Sequence, residues 1–343
     1  GGLRTEAPVS KISAARPFRE VLSSCATSWP GIRGRSTGRQ RGGRWRGLMD
    51  SLEPIELRSE VPSTNTEMKR RGRVGAPHGA ALRALVQTAG RGQRSHDWAS
   101  PEGGLYLSVL IRPEVPGEAL PALPVACALG ALGALREVGC PRARLKWPND
   151  IVVGNHKLAG ILTELVATGE DVFAVCGIGV NMEAPVVSTR SGSIAALHPT
   201  GLLDELAPGM TPPSLEDLAE LVRKRILDAA SDWEAAYGKT AAYRGSGRPS
   251  VYVPGSDTAR WAEDPVRGGA EGPLAPLLAP YNACLAFVGQ RVRVYAIDGE
   301  ERAQGTFLGV DGYGRALVAQ RDGSVAGYDA ADVSIRPLSL MGE

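Results

Sequence analysis

Three short stretches bring together residue types that could do chemistry. The loop TAGRGQRSHDW, residues 88–98, gathers Gly90, Arg91, Gly92 and Arg94. Glycines without side chains let backbone N–H groups approach an anion, and arginine forks match carboxylate or phosphate oxygens. Alone the loop says little, because it lacks the third glycine and the following helix of a dinucleotide fingerprint. KWPND, residues 146–150, offers a cation, an amide and a carboxylate in Lys146, Asn149 and Asp150, about a turn set by Pro148 and anchored by Trp147. Asp and Asn supply the oxygens a magnesium–nucleotide complex uses, although Pro-Asn-Asp is also ordinary turn chemistry. Lys157, beyond the Gly154-Asn155 turn, opens KLAGILTEL, in which Gly160 lets a ligand lie against strand backbone.

These residues need elements to hold them. IELRSEV, 55–61, alternates like a strand, and Thr64-Asn-Thr-Glu67 has the spacing of a capping box, with Thr64 as the cap. ALVQT (84–88) and LYLSVLI (105–111) read as strands around the glycine loop, followed by an Ala/Leu helix running to about Val138 and closed by Gly139. RLKWP, IVV, KLAGILTEL and VFAVCGIGV are short strands between turn signals, an antiparallel meander. Ser214 caps a long helix whose core face is Leu215, Leu218, Val222, Ile226, Ala229 and Trp233. Residues 244–275 read as a long Gly/Pro-rich insertion. In the tail, short strands separated by Asp298-Gly299, Asp311-Gly312 and Asp322-Gly323 predict a small antiparallel barrel.

Composition narrows the class. With 343 residues, 43% hydrophobic, the chain is long enough for about two domains. Its net charge of +2 argues against a nucleic-acid coat, but residues 1–48 carry nine Arg and one Lys against two Glu, leaving the remainder mildly acidic. That basic segment, rich in glycine and without periodicity, is expected to be disordered: either a basic tail or sequence upstream of Met49. Five scattered cysteines, without a CxxC pair, fit a reduced, cytoplasmic location. The longest apolar stretch, Ala119 to Leu135, falls short of a membrane span and reads as a buried helix, and nothing at the start resembles a secretion signal.

Taken in order, STNTE (63–67), QTAGRGQR (87–94), W-x-SPEGGLYLS (98–108), KWPNDIVV (146–153), KLAGILTE (157–164) and GIGVNM (177–182) resemble the biotin protein ligases. No helix-turn-helix pattern precedes Ile55, so the likeness is to the short class without a DNA-binding domain, and no DNA or membrane partner is expected. The resemblance implies an α/β fold with a mixed, largely antiparallel sheet and helices packed on it, as in class II synthetases, then a small SH3-like β-barrel. The implied domains are a tail at 1–48, a catalytic domain at 49–243, a linker at 244–283 and the barrel at 284–339. The implied reaction converts biotin and ATP, with Mg2+, to biotinyl-5′-AMP, then transfers biotin to one lysine of a biotin carboxyl carrier protein, by a monomer or homodimer. Lys157 matches the family lysine between the biotin carboxylate and the α-phosphate. Ser63, Thr64, Asn65 and Gln87 match the grip on biotin's ureido end, with Gly90, Arg91, Gly92, Gln93, Gly160 and Leu162 completing that pocket. Arg91, Arg94, Trp98, Lys146, Asn149 and Asn181 match the nucleotide side, and Asp150 the magnesium. Lipoate ligases share the fold and the adenylate logic, but KWPND followed by KLAGIL argues against them; a non-enzymatic module binding RNA or a peptide would not require Lys157, Asp150 and Arg91 together.

Two departures stand out. The loop has Gln93 and His96 where the family usually carries cations, so Arg94 is expected to swing into the vacant position and help retain the adenylate. The 244–275 insertion separates the two modules. Because residues 1–48 have no core-forming pattern, a chain beginning at Met49 is expected to keep its thermal stability and its activity. A melting curve showing loss of folding on truncation refutes this.

Overall fold

A computed structural model describes residues 52–95, 97–169, 171–185, 197–237 and 272–338. The expected tail at 1–48, His96 and all but the last residues of the 244–275 insertion lie outside them. Seven strands form one sheet: β1 (Glu56–Val61), β2 (Ala81–Gln87), β3 (Leu105–Ile111), β4 (Arg144–Lys146), β5 (Asp150–Val153), β6 (His156–Thr168) and β7 (Asp171–Val180). Their order is β1-β2-β3-β7-β6-β5-β4. Only β1 and β2 are parallel, joined by helix α1 (Thr64–Arg73); β4 to β7 form the expected antiparallel meander.

Strand parity decides what each face carries. On β7, Phe173 and Val175 point to the α1 side and join Met68, Leu82, Leu110 and Val166 in one core cluster. Burying each such side chain contributes about 1.5–3 kcal/mol. The next residues, Cys176 and Ile178, face the other way, where Cys176 meets Cys127 of helix α2 (Leu123–Glu137). Covered on both faces, the central strand β3 is buried throughout and reads as a continuous apolar run broken by Ser108.

The helix α1 starts one residue earlier than its spacing suggests. Ser63, in extended conformation, is the cap and accepts from Thr66 N–H at 3.5 Å. Thr64 cannot fill that role because its hydroxyl is engaged with Gln87 and Ser108. Preceded by a 3₁₀ turn over Gly117–Ala122, α2 extends an apolar stretch to Glu137, long enough by composition to span a bilayer, contrary to the shorter reading. It is instead largely buried, against the sheet and a long helix at Leu215–Tyr237. That helix is numbered α4, following the short α3 at Leu202–Glu205. Ser214 caps α4 through Asp217 N–H at 3.0 Å, and Leu218, Val222, Ile226 and Trp233 are buried as its periodicity predicts.

The tail forms α5 (Leu278–Cys284) and a second, five-stranded antiparallel sheet: β8 (Arg291–Ala296), β9 (Glu301–Val310), β10 (Ala316–Ala319), β11 (Val325–Tyr328) and β12 (Val333–Pro337). The strand order is β11-β10-β9-β8-β12. Of the three expected Asp-Gly turns, Gly299 and Gly323 take positive φ, but in the second that role falls to Gly314. There the buried Asp311 accepts from the N–H groups of Tyr313 and Arg315 and pairs with the Arg315 guanidinium at 2.7 Å, ordering the turn. The ordered turn presents Gly314 O to the indole N–H of Trp147 at 2.9 Å. Arg144 donates to the carbonyls of Ala283 and Leu285, so the KWPND turn is pinned from the C-terminal side.

α2 and α4 approach closely at Gly130, where an added Cβ would lie 2.4 Å from Arg225 O and 2.8 Å from Ile226 Cα. Backbone cannot give way as a side-chain tip can. Gly130→Ala is therefore expected to destabilise the fold by about 1–3 kcal/mol through overpacking. Unchanged unfolding in urea would contradict that close approach.

Candidate functional site

Lys157 reaches the site because of one irregularity. Val152 pairs with Lys157 and Ile151 with Ala159, so Leu158 is an extra residue on β6, a β-bulge. In regular alternation Lys157 and Gly160 would point to opposite faces; the bulge returns Lys157 to the face that carries Gly160. Asp150 pairs with Gly160 and Lys146 with Asp150, so the same face also receives both of these. Lys157 Nζ lies 2.7 Å from Asp150 Oδ1, and Lys146 Nζ lies 3.4 Å from Oδ2. Burial acts to raise the Asp150 carboxyl, but the Lys157 and Lys146 ammoniums outweigh it and hold the group below the ordinary carboxylate range. Burial also lowers Lys146, against the attraction of Asp150.

Glycines on this face make room. Gly160 opposes Gly179 and Leu162 opposes Gly177 across β6 and β7. A Cβ on Gly160 or Gly179 would strike the Trp98 indole, at 2.7 and 2.4 Å, and one on Gly177 would lie 2.1 Å from Asn65 Oδ1. Lys157 Nζ sits 5.0 Å from the centre of the Trp98 ring. Ile178, between the glycines, points under α2, which is why the run reads G-I-G. The face encloses a cavity of about 220 Å³. Ordinary small-molecule sites run from roughly 300 Å³ upward; here the Trp98 indole lies over the glycine floor and takes up part of the space.

Ser63, Thr64, Asn65, Gln87, Arg91, Gly92, Gln93, Arg94, Trp98, Lys146, Asn149, Asp150, Lys157, Gly160 and Leu162 all line that one cavity. Two expected residues do not. Gly90 lies behind the loop, accepting from Trp98 N–H at 2.9 Å and without room for a Cβ. Asn181 donates to Lys157 O at 3.3 Å and Thr200 O at 3.2 Å, so its amide ties the backbone of the lysine to the 198–200 segment. Asn149 likewise spends its amide N–H on Ile161 O, at 2.9 Å.

Arg94 departs most from expectation. It takes a left-handed φ of 55° and its guanidinium donates to Ala330 O and to Val333 O, the latter at 2.5 Å. It therefore fastens the loop to the C-terminal sheet and does not fill the position of the cation that Gln93 lacks. Ser334, on β12, joins the cavity lining for the same reason. Three more residues escaped the sequence reading: Ser108, fully buried within an apolar strand, and Glu164 and Lys69, ion-paired at 2.7 Å. Ser108 was detectable as the one small polar residue in LYLSVLI; nothing local marks Lys69.

The profile of the Biotin/lipoate A/B protein ligase family matches residues 59–181. The chain is 36% identical over 165 residues to a biotin–[acetyl-CoA-carboxylase] ligase of Paracoccus denitrificans, covering 44% of this chain and 68% of that protein. It is 31% identical over 194 residues to the protein of that name from Mycobacterium tuberculosis, covering 55% and 68%. With the bifunctional ligase/repressor BirA of Bacillus subtilis, 39% identical over 109 residues, the match spans 31% of this chain and about a third, 34%, of the relative. A solved biotin protein ligase from Aquifex aeolicus, in complex with biotin and ATP, superimposes with a TM-score of 0.59 over 83% of this chain and 100% of that one; at 21% identity this is a likeness of fold. Two relatives above 30% identity, each matched over two-thirds of its length, show that the chain belongs to the biotin protein ligases of the biotin/lipoate A/B protein ligase family.

Proposed function

We propose that this protein is an ATP-dependent biotin protein ligase. The observation that carries the reading is the position of the Lys157 ammonium, in one cavity with the polar wall of Thr64, Asn65 and Gln87 and the Lys146–Asn149–Asp150 turn. A carboxylate and a phosphate repel one another, and bringing them together is mainly positioning and charge neutralisation. In the first step a biotin carboxylate oxygen bonds to the α-phosphorus of ATP and pyrophosphate leaves. In the second the amine of a carrier lysine bonds to the acyl carbon, losing a proton, and AMP leaves. Lys157 neutralises both reacting anions; Arg91, half-exposed beside Glu164, closes on the adenylate; Lys146 and Asn149 serve the nucleotide, with Trp98 as its aromatic support. Ser63, Thr64, Asn65 and Gln87, with the backbone near Gly160 and Leu162, hold biotin's ureido end. Biotin–[acetyl-CoA-carboxylase] ligases among the relatives favour a biotin carboxyl carrier protein as the acceptor.

Magnesium enters this scheme as part of the MgATP substrate. The role expected of Asp150 as its ligand does not fit the arrangement, because both carboxylate oxygens already face ammonium groups. Among the described residues no cluster of three or more His, Cys, Asp and Glu is assembled to hold a metal. Asp150 is better read as the group that orients Lys157. The C-terminal sheet, with five short antiparallel strands, is assigned to the SH3-like class and acts by closing the loop through Arg94.

Lys157→Ala is expected to lower biotin-dependent pyrophosphate release by about 10²–10³-fold while the fold survives, as loss of a transition-state charge contact does. Near-normal release would sink the assignment, and lipoate in place of biotin is the control for the rival ligase activity. Arg94 is tied to the C-terminal sheet and does not stand in for the cation that Gln93 lacks. Arg94→Ala should loosen the loop and raise labelling of a bystander lysine-rich protein by about tenfold, the scale of a lost charge-assisted hydrogen bond. Gln93→Arg should lower it. If Arg94→Ala leaves bystander labelling unchanged, the fastening plays no part in retaining the adenylate.

A further inference from the structure

Behind the cavity wall a chain of hydrogen bonds runs from Glu164 to the loop. Glu164 Oε2 accepts from Asn65 Nδ2 at 2.9 Å, and Leu162 O accepts from the same nitrogen at 3.1 Å. Both acceptors are incapable of donating while Glu164 is ionised, so the Asn65 amide has one orientation: nitrogen toward Glu164, oxygen toward Ser108. Burial opposes ionisation of Glu164, but Lys69, at 2.7 Å, and Asn65 overcome it and hold the carboxyl below its ordinary range. Ser108 Oγ lies 2.6 Å from Asn65 Oδ1, which can only accept, so the Ser108 proton is committed there. Gln87 is fixed as well: its Oε1 accepts the Thr64 backbone N–H at 2.9 Å while its Nε2 donates to Ser100 Oγ at 2.8 Å.

That leaves the single Thr64 hydroxyl proton between Ser108 Oγ at 2.8 Å and Gln87 Oε1 at 3.1 Å, the latter already accepting the Thr64 backbone N–H. With the Ser108 and Thr64 protons turned into the wall, the Thr64 hydroxyl oxygen and Gln87 Oε1, which line the cavity, keep acceptor lone pairs for a ligand. We propose that Glu164 is a positioning residue which, by orienting Asn65 and through it Ser108, gives this wall an excess of acceptors and so selects a ligand head that donates N–H groups. The inference rests on the biotin ligase reading and deepens it: a cyclic urea supplies the missing donors, whereas a dithiolane supplies none. Glu164 does not line the cavity and reaches the wall through Asn65 and Ser108, beside its looser pairing with Arg91 at 3.7 Å.

The test is calorimetric binding of biotin to the full chain and to Glu164→Ala and Ser108→Ala, alongside the KM for MgATP and kcat at saturating biotin. Glu164→Ala should raise the Kd for biotin about ten- to hundred-fold and Ser108→Ala about three- to ten-fold. In Ser108→Ala, which leaves the Arg91–Glu164 pairing in place, the KM for MgATP and kcat should stay within about twofold, a split that simple loss of folded protein does not produce. Unchanged biotin affinity in both variants overturns the proposal, as does weakening by Glu164→Ala alone, which removes the relay through Ser108. Should Glu164→Ala fail to fold, Ser108→Ala decides by the same criterion. If the unaltered protein does not bind biotin, the ligase reading fails and the inference falls with it; if it binds and the variants bind equally well, only the inference fails.

Discussion

The site depends on a single extra residue in β6. With Leu158 bulged out, Lys157 shares a face with Gly160, and through the pairings of Gly160 with Asp150 and of Asp150 with Lys146 two ammonium groups converge on one carboxylate. Without the bulge the lysine would point toward the side covered by α2, where an unpaired ammonium is costly. The glycines opposite, Gly177 and Gly179, complete the same device: their neighbours Cys176 and Ile178 face the α2 side, and the absent side chains leave space on the other face. Sheet geometry thus separates a packed face from a working face within the same strands.

Charge on the working face is balanced locally. Asp150 serves two ammoniums and Glu164 serves Lys69, Asn65 and, more loosely, Arg91 at 3.7 Å. A buried carboxylate that lacked such partners would be protonated, and its neighbours would lose their fixed orientation. In the proposed reaction the two acids divide the labour: Asp150 holds Lys157, the cation assigned to the reacting centre, and Glu164 is assigned the polarity of the wall that meets the ligand head.

The C-terminal sheet is part of this arrangement. It takes the Trp147 indole N–H at Gly314 O and the Arg94 guanidinium at Ala330 O and Val333 O, so it grips the turn and the loop on the two sides of the cavity. Arg94 was expected to help hold an anion because a loop arginine beside glycines commonly does; the backbone carbonyls of β12 and the turn before it compete for it successfully.

Much of the layout was legible in the chain. Alternation marks β1, a continuous apolar run marks β3, three- and four-residue spacing marks α4, and GRGQR, KWPND and KLAGIL mark the cavity, since these signals are local and each carries its own reason. What the chain could not disclose is set by pairings between distant segments. Register, not composition, creates the bulge at Leu158 and aims Lys157. The use of Thr64 by Gln87, 23 residues away, moves the cap of α1 to Ser63, and contacts 97 and 99 residues along the chain orient Asn65. Sequence by itself determined which residue types meet at the site; only the tertiary structure decided which hydrogen-bonding groups remain free there, because a polar group's availability depends on every partner that folding brings within reach.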